Sequence, residues 1–373
     1  EPAERQGVAT LLAEMVCRGA GDLDARAHSD ALDQLGVQRG TSVETRQFRL
    51  GAAMIGEKVG DALPLLTDMV RRPMLAESAL EPSRDLALQT LDSLEDEPQQ
   101  RVSLALRRQH YPAPLGRSPF GERADLEAAT LDDVRQYWRR TFVPEGSILA
   151  FAGDFQWDAL RELVGELTDG WQGDVSEAQA ADNAARGYTH ENASSAQVHI
   201  GLAYDAVPET DSRRMLQRAA VAVLSGGMSG RLFTEVREKR GLCYAVMARY
   251  TGWRDRGAVI GYAGTTSPRA QETLDVMVGE FKRLAEGVDE SEFQRAIVGM
   301  KSNLVMQGES SSARAIQIAA DQYVLGRPRT LDEVAAEVDA VTFEALNEFV
   351  RDQPPGRMTI VTIGPTPLKA EGA

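Results

Sequence analysis

The chain repeats itself. Tyr111 to Arg117 (YPAPLGR) returns loosely as Tyr323 to Arg327 (YVLGR). The helix-like Thr130 to Trp138 (TLDDVRQYW) and the strand-like Ser147 to Gly153 return as Thr342 to Val350 (TFEALNEFV) and Met358 to Gly364. Order and offset are kept, at about 210 residues. A duplication of this size in 373 residues demands two halves of one architecture, each burying its own core. At the front, Glu1 to Glu4 (EPAE) leads into a helix as Val207 to Thr210 (VPET) does. In the second half the alternating strand Val198 to Tyr204 comes just before that turn. Its counterpart would lie ahead of Glu1, so the first domain is expected to lack its N-terminal strand or strands.

Periodicity supplies the elements. Val8, Leu11, Leu12, Met15 and Val16 form one apolar stripe at helical spacing. Helices are predicted at 6–18, 61–71, 78–94, 100–110, 131–142, 156–168, 212–224, 268–286, 290–306, 309–325 and 342–351. Strands are predicted at 36–43, 47–54, 147–153, 198–204, 244–250, 257–263 and 358–364. Helices come in runs rather than alternating with strands, which argues for an α+β fold and against a doubly wound α/β one. The Gly-, Ala-, Ser-, Asn- and Asp-rich stretch at 173–196 reads as a linker between domains at 1–172 and 197–373.

Charge and composition exclude several classes. A net charge of −15 argues against nucleic-acid partners, which need clustered Lys and Arg. There is no apolar run of 18 residues, so no membrane-spanning helix is expected. Cys17 and Cys243 are flanked by apolar residues and belong to no metal pattern, which predicts buried thiols. The histidines, His28, His110, His190 and His199, include no pair within a helical turn, so neither HExxH nor HxxEH is present. No GxSxG elbow supports a serine nucleophile.

The run SGGMSGRLFTEVREKRGLCY, Ser225 to Tyr244, carries the chemistry. It reads as a glycine turn, a charged helix at 229–239, a stop at Gly241 and the start of a strand. The turn lacks the GxxxxGK[ST] of a phosphate loop. Gly226, Gly227 and Gly230 either make a flexible connection or touch peptide backbone. Arg237 and Tyr244 stand seven residues apart across the helix end. Read alone, Arg237 fits a solvated helix end among Glu235, Glu238, Lys239 and Arg240, where ion pairs contribute little. Tyr244 likewise fits a strand aromatic in a core. Converging on one point, the two would donate hydrogen bonds to an oxyanion, each such donor typically contributing about 3–4 kcal/mol to a transition state. The spacing leaves both readings open.

The stretch Gly226 to Val246 (GGMSGRLFTEVREKRGLCYAV) closely resembles the second domain of the pitrilysin/insulinase-type (M16) zinc peptidases, in their bacterial, mitochondrial processing peptidase-like branch. The resemblance spans essentially the whole chain. Glu1 to Ala9 is similar to the turn before that family's metal helix, Leu35 to Leu50 to its substrate-facing edge strand, and Met69 to Met74 (MVRRPM) to its NPxF-type turn. It implies two homologous LuxS/MPP-like domains, each a mostly antiparallel sheet with helices packed on it. The family's metal site is an HxxEH helix plus a more distant glutamate. Laid on that pattern, Thr10 and Glu14 occupy the histidine positions, Ala13 that of the general base, and Thr90 that of the distal ligand. Thr10 and Glu14 share a helix face, but a hydroxyl and one carboxylate make a poor zinc site.

Arg237 and Tyr244 fall instead on the family's Arg/Tyr pair, which binds the substrate carbonyl. Some bacterial members divide the work between an HxxEH chain and a chain that keeps only the pair. The resemblance therefore implies a non-metal subunit of a heterodimeric zinc endopeptidase. Such a chain holds no cofactor itself, its zinc belonging to an HxxEH-bearing partner. Gly226, Gly227 and Gly230 would bind peptide, and unfolded peptides would add as a strand at 36–43. The alternative is a catalytically inactive scaffold or peptide-binding protein, perhaps homodimeric. An autonomous peptidase with an unfamiliar site is a third reading.

Overall fold

A computed structural model describes residues 1–174 and 184–370. The chain divides into two compact units, Glu1–Asp96 with Ala113–Ala181, and Glu97–Pro112 with Asp182–Ala373. The first unit opens on α1 (Val8–Met15), followed by β1 (Gly19–Ala20), β2 (Leu23–Asp24) and α2 (Ala25–Gln34). An antiparallel hairpin of β3 (Gln38–Val43) and β4 (Phe48–Ala53) comes next, then α3 (Val59–Arg71) and α4 (Glu77–Glu95). The next helix, α5 (Pro98–His110), belongs to the second unit, and the first resumes with α6 (Arg123–Ala128), α7 (Leu131–Thr141) and α8 (Trp157–Thr168).

The stripe on α1 is buried as its spacing requires: Leu11, Leu12 and Met15 pack with Leu80, Leu126 and Val134. Gly7 offers no side chain to cap this helix. The Glu1 carboxylate takes that place, accepting from the amides of Gly7 (3.1 Å) and Ala9 (2.7 Å). Thr130 caps α7 and Thr342 caps the corresponding helix of the second unit, so the repeat extends to its helix starts.

The segment 147–153 joins no ladder among the described residues, and Ile148 and Leu149 remain exposed. Alternation marks a chain able to pair. A strand exists only where a neighbour supplies the other half of its hydrogen bonds. Helix α2 was not foreseen, because it buries only His28 and Leu32 and so shows a thin apolar stripe.

In the second unit, β5 (Tyr188–Asn192), β6 (Gln197–Ala206), β7 (Cys243–Gly252), β8 (Gly257–Thr266) and β9 (Thr359–Gly364) form one sheet in the order β5-β9-β6-β8-β7. All pairings are antiparallel except β5 with β9. Strand β5 lies inside the stretch read as a linker at 173–196, of which 175–183 are outside the described residues. Its ladder comes from β9, far along the chain, so local composition carries no sign of it.

Helices α9 (Arg214–Ser225), α10 (Ala270–Arg283), α11 (Glu290–Gly308), α12 (Ser311–Leu325), α13 (Leu331–Asp339) and α14 (Phe343–Asp352) complete the unit. Ile200, Leu202 and Tyr204 of β6 meet Leu224 and Phe281 in the core on one sheet face. On the other face, Val102 and Leu106 of α5 pack against Ala203, Tyr262, Val361 and Ile363. Gly201 permits that approach, since a Cβ there would lie 3.1 Å from Val102 and 3.3 Å from Leu106. Among the described residues no helix is long and apolar enough to cross a membrane.

His110 fixes the end of α5. It is fully buried, with Nδ1 3.0 Å from the Thr359 hydroxyl and Nε2 3.5 Å from Asp205. Burial, and next the Arg186 charge, push its pKa down to about 4, with Asp205 opposing. The folded pKa lies below the unfolded one, so this contribution is whole above about pH 6.5 and is lost as pH falls toward about 4. The full loss is of the order of 3 kcal/mol. Denaturant titrations of wild type and His110→Gln across pH 4–7 check this. The wild type should lose the extra stability over that window, and parallel curves would refute it.

Candidate functional site

Two irregularities frame the Ser225 to Tyr244 run. Past α9 the glycine turn is tight: a Cβ at Gly230 would lie 2.8 Å from the Leu224 carbonyl, one at Gly226 would strike the Ala222 carbonyl, and Gly227 sits at φ 144°. Close approach and positive φ thus account for all three glycines. Arg231 then anchors the segment. It is buried, pairs through Nε and Nη2 with Glu292 (2.7 Å each), and reaches the Gly287 carbonyl (2.8 Å).

The charged helix expected at 229–239 proves to contain a π turn, Phe233–Glu238, with the Lys239 amide reaching the Thr234 carbonyl at 2.9 Å. Such turns are rare and frequent at functional sites. Gly241, at φ 59°, ends it, and the Arg269 guanidinium donates to the Gly241 carbonyl. Strand β7 opens with a register shift between Cys243 and Ala245, leaving Tyr244 as the bulged residue. A bulge re-aims the side chain that it carries.

Arg237 is exposed, with its guanidinium carbon 5.0 Å from the centre of the Phe233 ring. Lys239 and Arg240 both spend themselves on Glu235 (2.7 Å each), whose carboxyl their hydrogen bonds hold below its usual range. No acid pairs with Arg237 among the described residues. Tyr244 is 47% exposed and donates to Gln197 Oε1 at 2.7 Å. Arg237 and Tyr244 make no direct hydrogen bond to each other.

The positions of the family's metal site are far from a zinc cage. The Thr10 hydroxyl donates to the Pro119 carbonyl (3.0 Å), and Ala13 is buried and offers only a carbonyl, which takes the Thr41 hydroxyl (3.0 Å). Glu14 is half-buried, and the Thr90 hydroxyl turns back on the Leu86 carbonyl (2.9 Å). Among the described residues no three His, Cys, Asp or Glu side chains come together as a metal cluster. These residues do not fit zinc. Of the thiols, Cys243 is buried and pushed up to about 11 by burial, while Cys17 is only half-buried.

Gln197, His199 and Tyr262, none of them expected at the site, lie about Tyr244 on its sheet face. The signal was present: Gln197 and His199 are two apart on β6 and therefore point to one side.

The family model for the insulinase (M16) peptidases matches residues 1–122, and that for the M16 peptidase inactive domain matches residues 128–300. The uncharacterized zinc protease YmxG of Bacillus subtilis is 25% identical over 361 residues, covering 94% of this chain and 86% of its own. An uncharacterized zinc protease of Streptomyces coelicolor is 25% identical over 370 residues, covering 96% and 81%. Among solved structures, the M16 inactive domain from Pseudomonas fluorescens superposes with a TM-score of 0.84 at 20% identity, over 99% of this chain and 90% of that one. A protease from Helicobacter pylori gives 0.81 at 16%, over 98% and 91%. The fold is thus that of two M16 domains, α+β as expected. The chain belongs to the M16 peptidase family.

Proposed function

We infer that this chain is the non-metal subunit of a heterodimeric M16 endopeptidase. Its Arg237 and Tyr244 supply hydrogen bonds to the scissile carbonyl as that oxygen gains negative charge. The observation that carries this reading is the exposure of Arg237: Glu235 is taken up by Lys239 and Arg240, and among the described residues no acid pairs with Arg237, whose guanidinium rests over the Phe233 ring. Its guanidinium is permanently charged and offers several donors, while Tyr244 offers a phenol that a bulge has turned out of the ladder. The metal and the water-activating base belong to a partner carrying HxxEH, because α1 provides neither. Strand β3 pairs only with β4 among the described residues, so its free edge suits an added peptide strand.

The test is co-purification from the source cell, followed by metal analysis. The partner should hold one zinc per heterodimer, and the mixed chains should cleave an unfolded peptide that neither cleaves alone. Hydrolysis by this chain alone, or stoichiometric zinc on it, overturns the reading. A complex that binds peptides without cleaving them favours a scaffold.

A further inference from the structure

Tyr244 ends a chain of hydroxyls. Across the sheet, Gly264 of β8 lies opposite both His199 of β6 and Ala245 of β7. The bulge carries Tyr244 over that glycine. A Cβ built on Gly264 would lie 2.6 Å from the Tyr244 hydroxyl and 2.9 Å from that of Tyr262, so both hydroxyls stand over that glycine. Behind them, the Tyr262 hydroxyl is 2.9 Å from His199 Nδ1, with the two rings inclined by 24°. In front, Tyr244 donates to Gln197. Exposure falls from 47% at Tyr244 to 5% at Tyr262 and 3% at His199, so the chain runs from solvent into the interior.

We propose that His199 and Tyr262 are positioning residues for Tyr244. They order the protons of this chain so that the Tyr244 hydrogen points outward, with Gln197 as the resting acceptor that a substrate oxyanion displaces. The proposal rests on the reading of Tyr244 as an oxyanion donor. The direction follows from His199. Its Nε2 is buried without a partner among the described residues, so a proton there would have no acceptor. A proton on Nδ1 donates to Tyr262, which spends its own hydrogen on the Tyr244 oxygen. Tyr244 then has one direction left for its hydrogen. Each bond in such a chain polarises the next, and a charged acceptor outcompetes the neutral amide of Gln197. Burial, and next the Arg101 charge, hold the His199 imidazole below the usual histidine range, which keeps it a neutral donor. Gly264 is the floor that lets both phenols close over it.

Tyr262→Phe and His199→Gln remove one link each. In NMR of the intact chain with 13C-labelled tyrosine, both should move the Tyr244 ring signal and leave that of Tyr204, on the opposite face, in place. Imidazole 15N shifts should put the His199 proton on Nδ1. In the complex, cleaving a fluorogenic unfolded peptide, Tyr262→Phe should lower kcat roughly tenfold at unchanged KM, less than loss of the donor itself. The double variant with Tyr244→Phe should be no slower than Tyr244→Phe alone. Gly264→Ala should push the phenols aside and lower kcat at an unchanged Tm. An unmoved Tyr244 signal, a proton on Nε2, or losses that multiply in the double variant each overturn the proposal. If Tyr244→Phe leaves hydrolysis intact, the donor reading falls and takes the positioning role with it. The NMR arms then still report whether the hydroxyl chain exists.

Discussion

In the two-chain complex, Arg237→Ala and Tyr244→Phe should each lower kcat by about 10²–10³-fold while leaving Tm within a degree or so. Both halves of that statement follow from position. Arg237 is exposed and holds no ion pair among the described residues, so its removal exposes no buried partner. Tyr244 loses one hydroxyl at a half-exposed ring, Gln197 turns to water, and the Tyr262 hydroxyl keeps His199 as its partner. A donor to a developing oxyanion acts only in the transition state, which puts the loss in kcat rather than KM. On the proposed reading both donors address one oxygen, so the double variant should fall short of the product of the single losses. Steady-state kinetics with a fluorogenic peptide, alongside thermal melts, checks all of this. Unchanged hydrolysis in either single variant would show that the pair is not catalytic.

How far the sequence carried differs from element to element, and the differences have causes. The stripe on α1 and the α5 helix were legible because one face of each is buried, and strands β6 and β8 because burial on both faces leaves a near-continuous apolar run. Strand β5 and the unpaired segment 147–153 were misread because a ladder depends on what lies alongside, which local sequence does not encode. The same holds at the site. Arg237 and Tyr244 were visible through the resemblance of one continuous segment. The spacing of Gln197 and His199 puts those two on one side of β6, but Tyr262 and Gly264 join them only when β6 and β8 pair. The π turn and the bulge escaped for a further reason. Each alters a local hydrogen-bond register by one residue while leaving the hydrophobic pattern almost intact.

Stability at the site should depend most on the buried pair of Arg231 and Glu292. Arg231→Met should destabilise the protein by about 3–5 kcal/mol, because it strands the Glu292 carboxylate in a buried position. The Arg231 side chain is 5% exposed and that of Glu292 14%, and three hydrogen bonds of 2.7–2.8 Å join Arg231 to Glu292 and to the Gly287 carbonyl. Burial pushes the Glu292 carboxyl up, yet its bonds from Arg231 and from the Asp289 amide outweigh that and hold it below its usual range. Glu292 also closes the capping box that starts α11. Replacing both partners, Arg231→Met with Glu292→Leu, should therefore recover most of the loss while remaining short of wild type by about 1 kcal/mol, the worth of the lost cap. Urea titrations of the three chains give these differences directly. If the single and double variants are equally unstable, the penalty comes from lost packing around the arginine stem rather than from a stranded charge. The single variant should also lose hydrolysis in the proposed complex, since Arg231 ties the glycine turn to Glu292 of α11 and so holds the base of the π turn that carries Arg237.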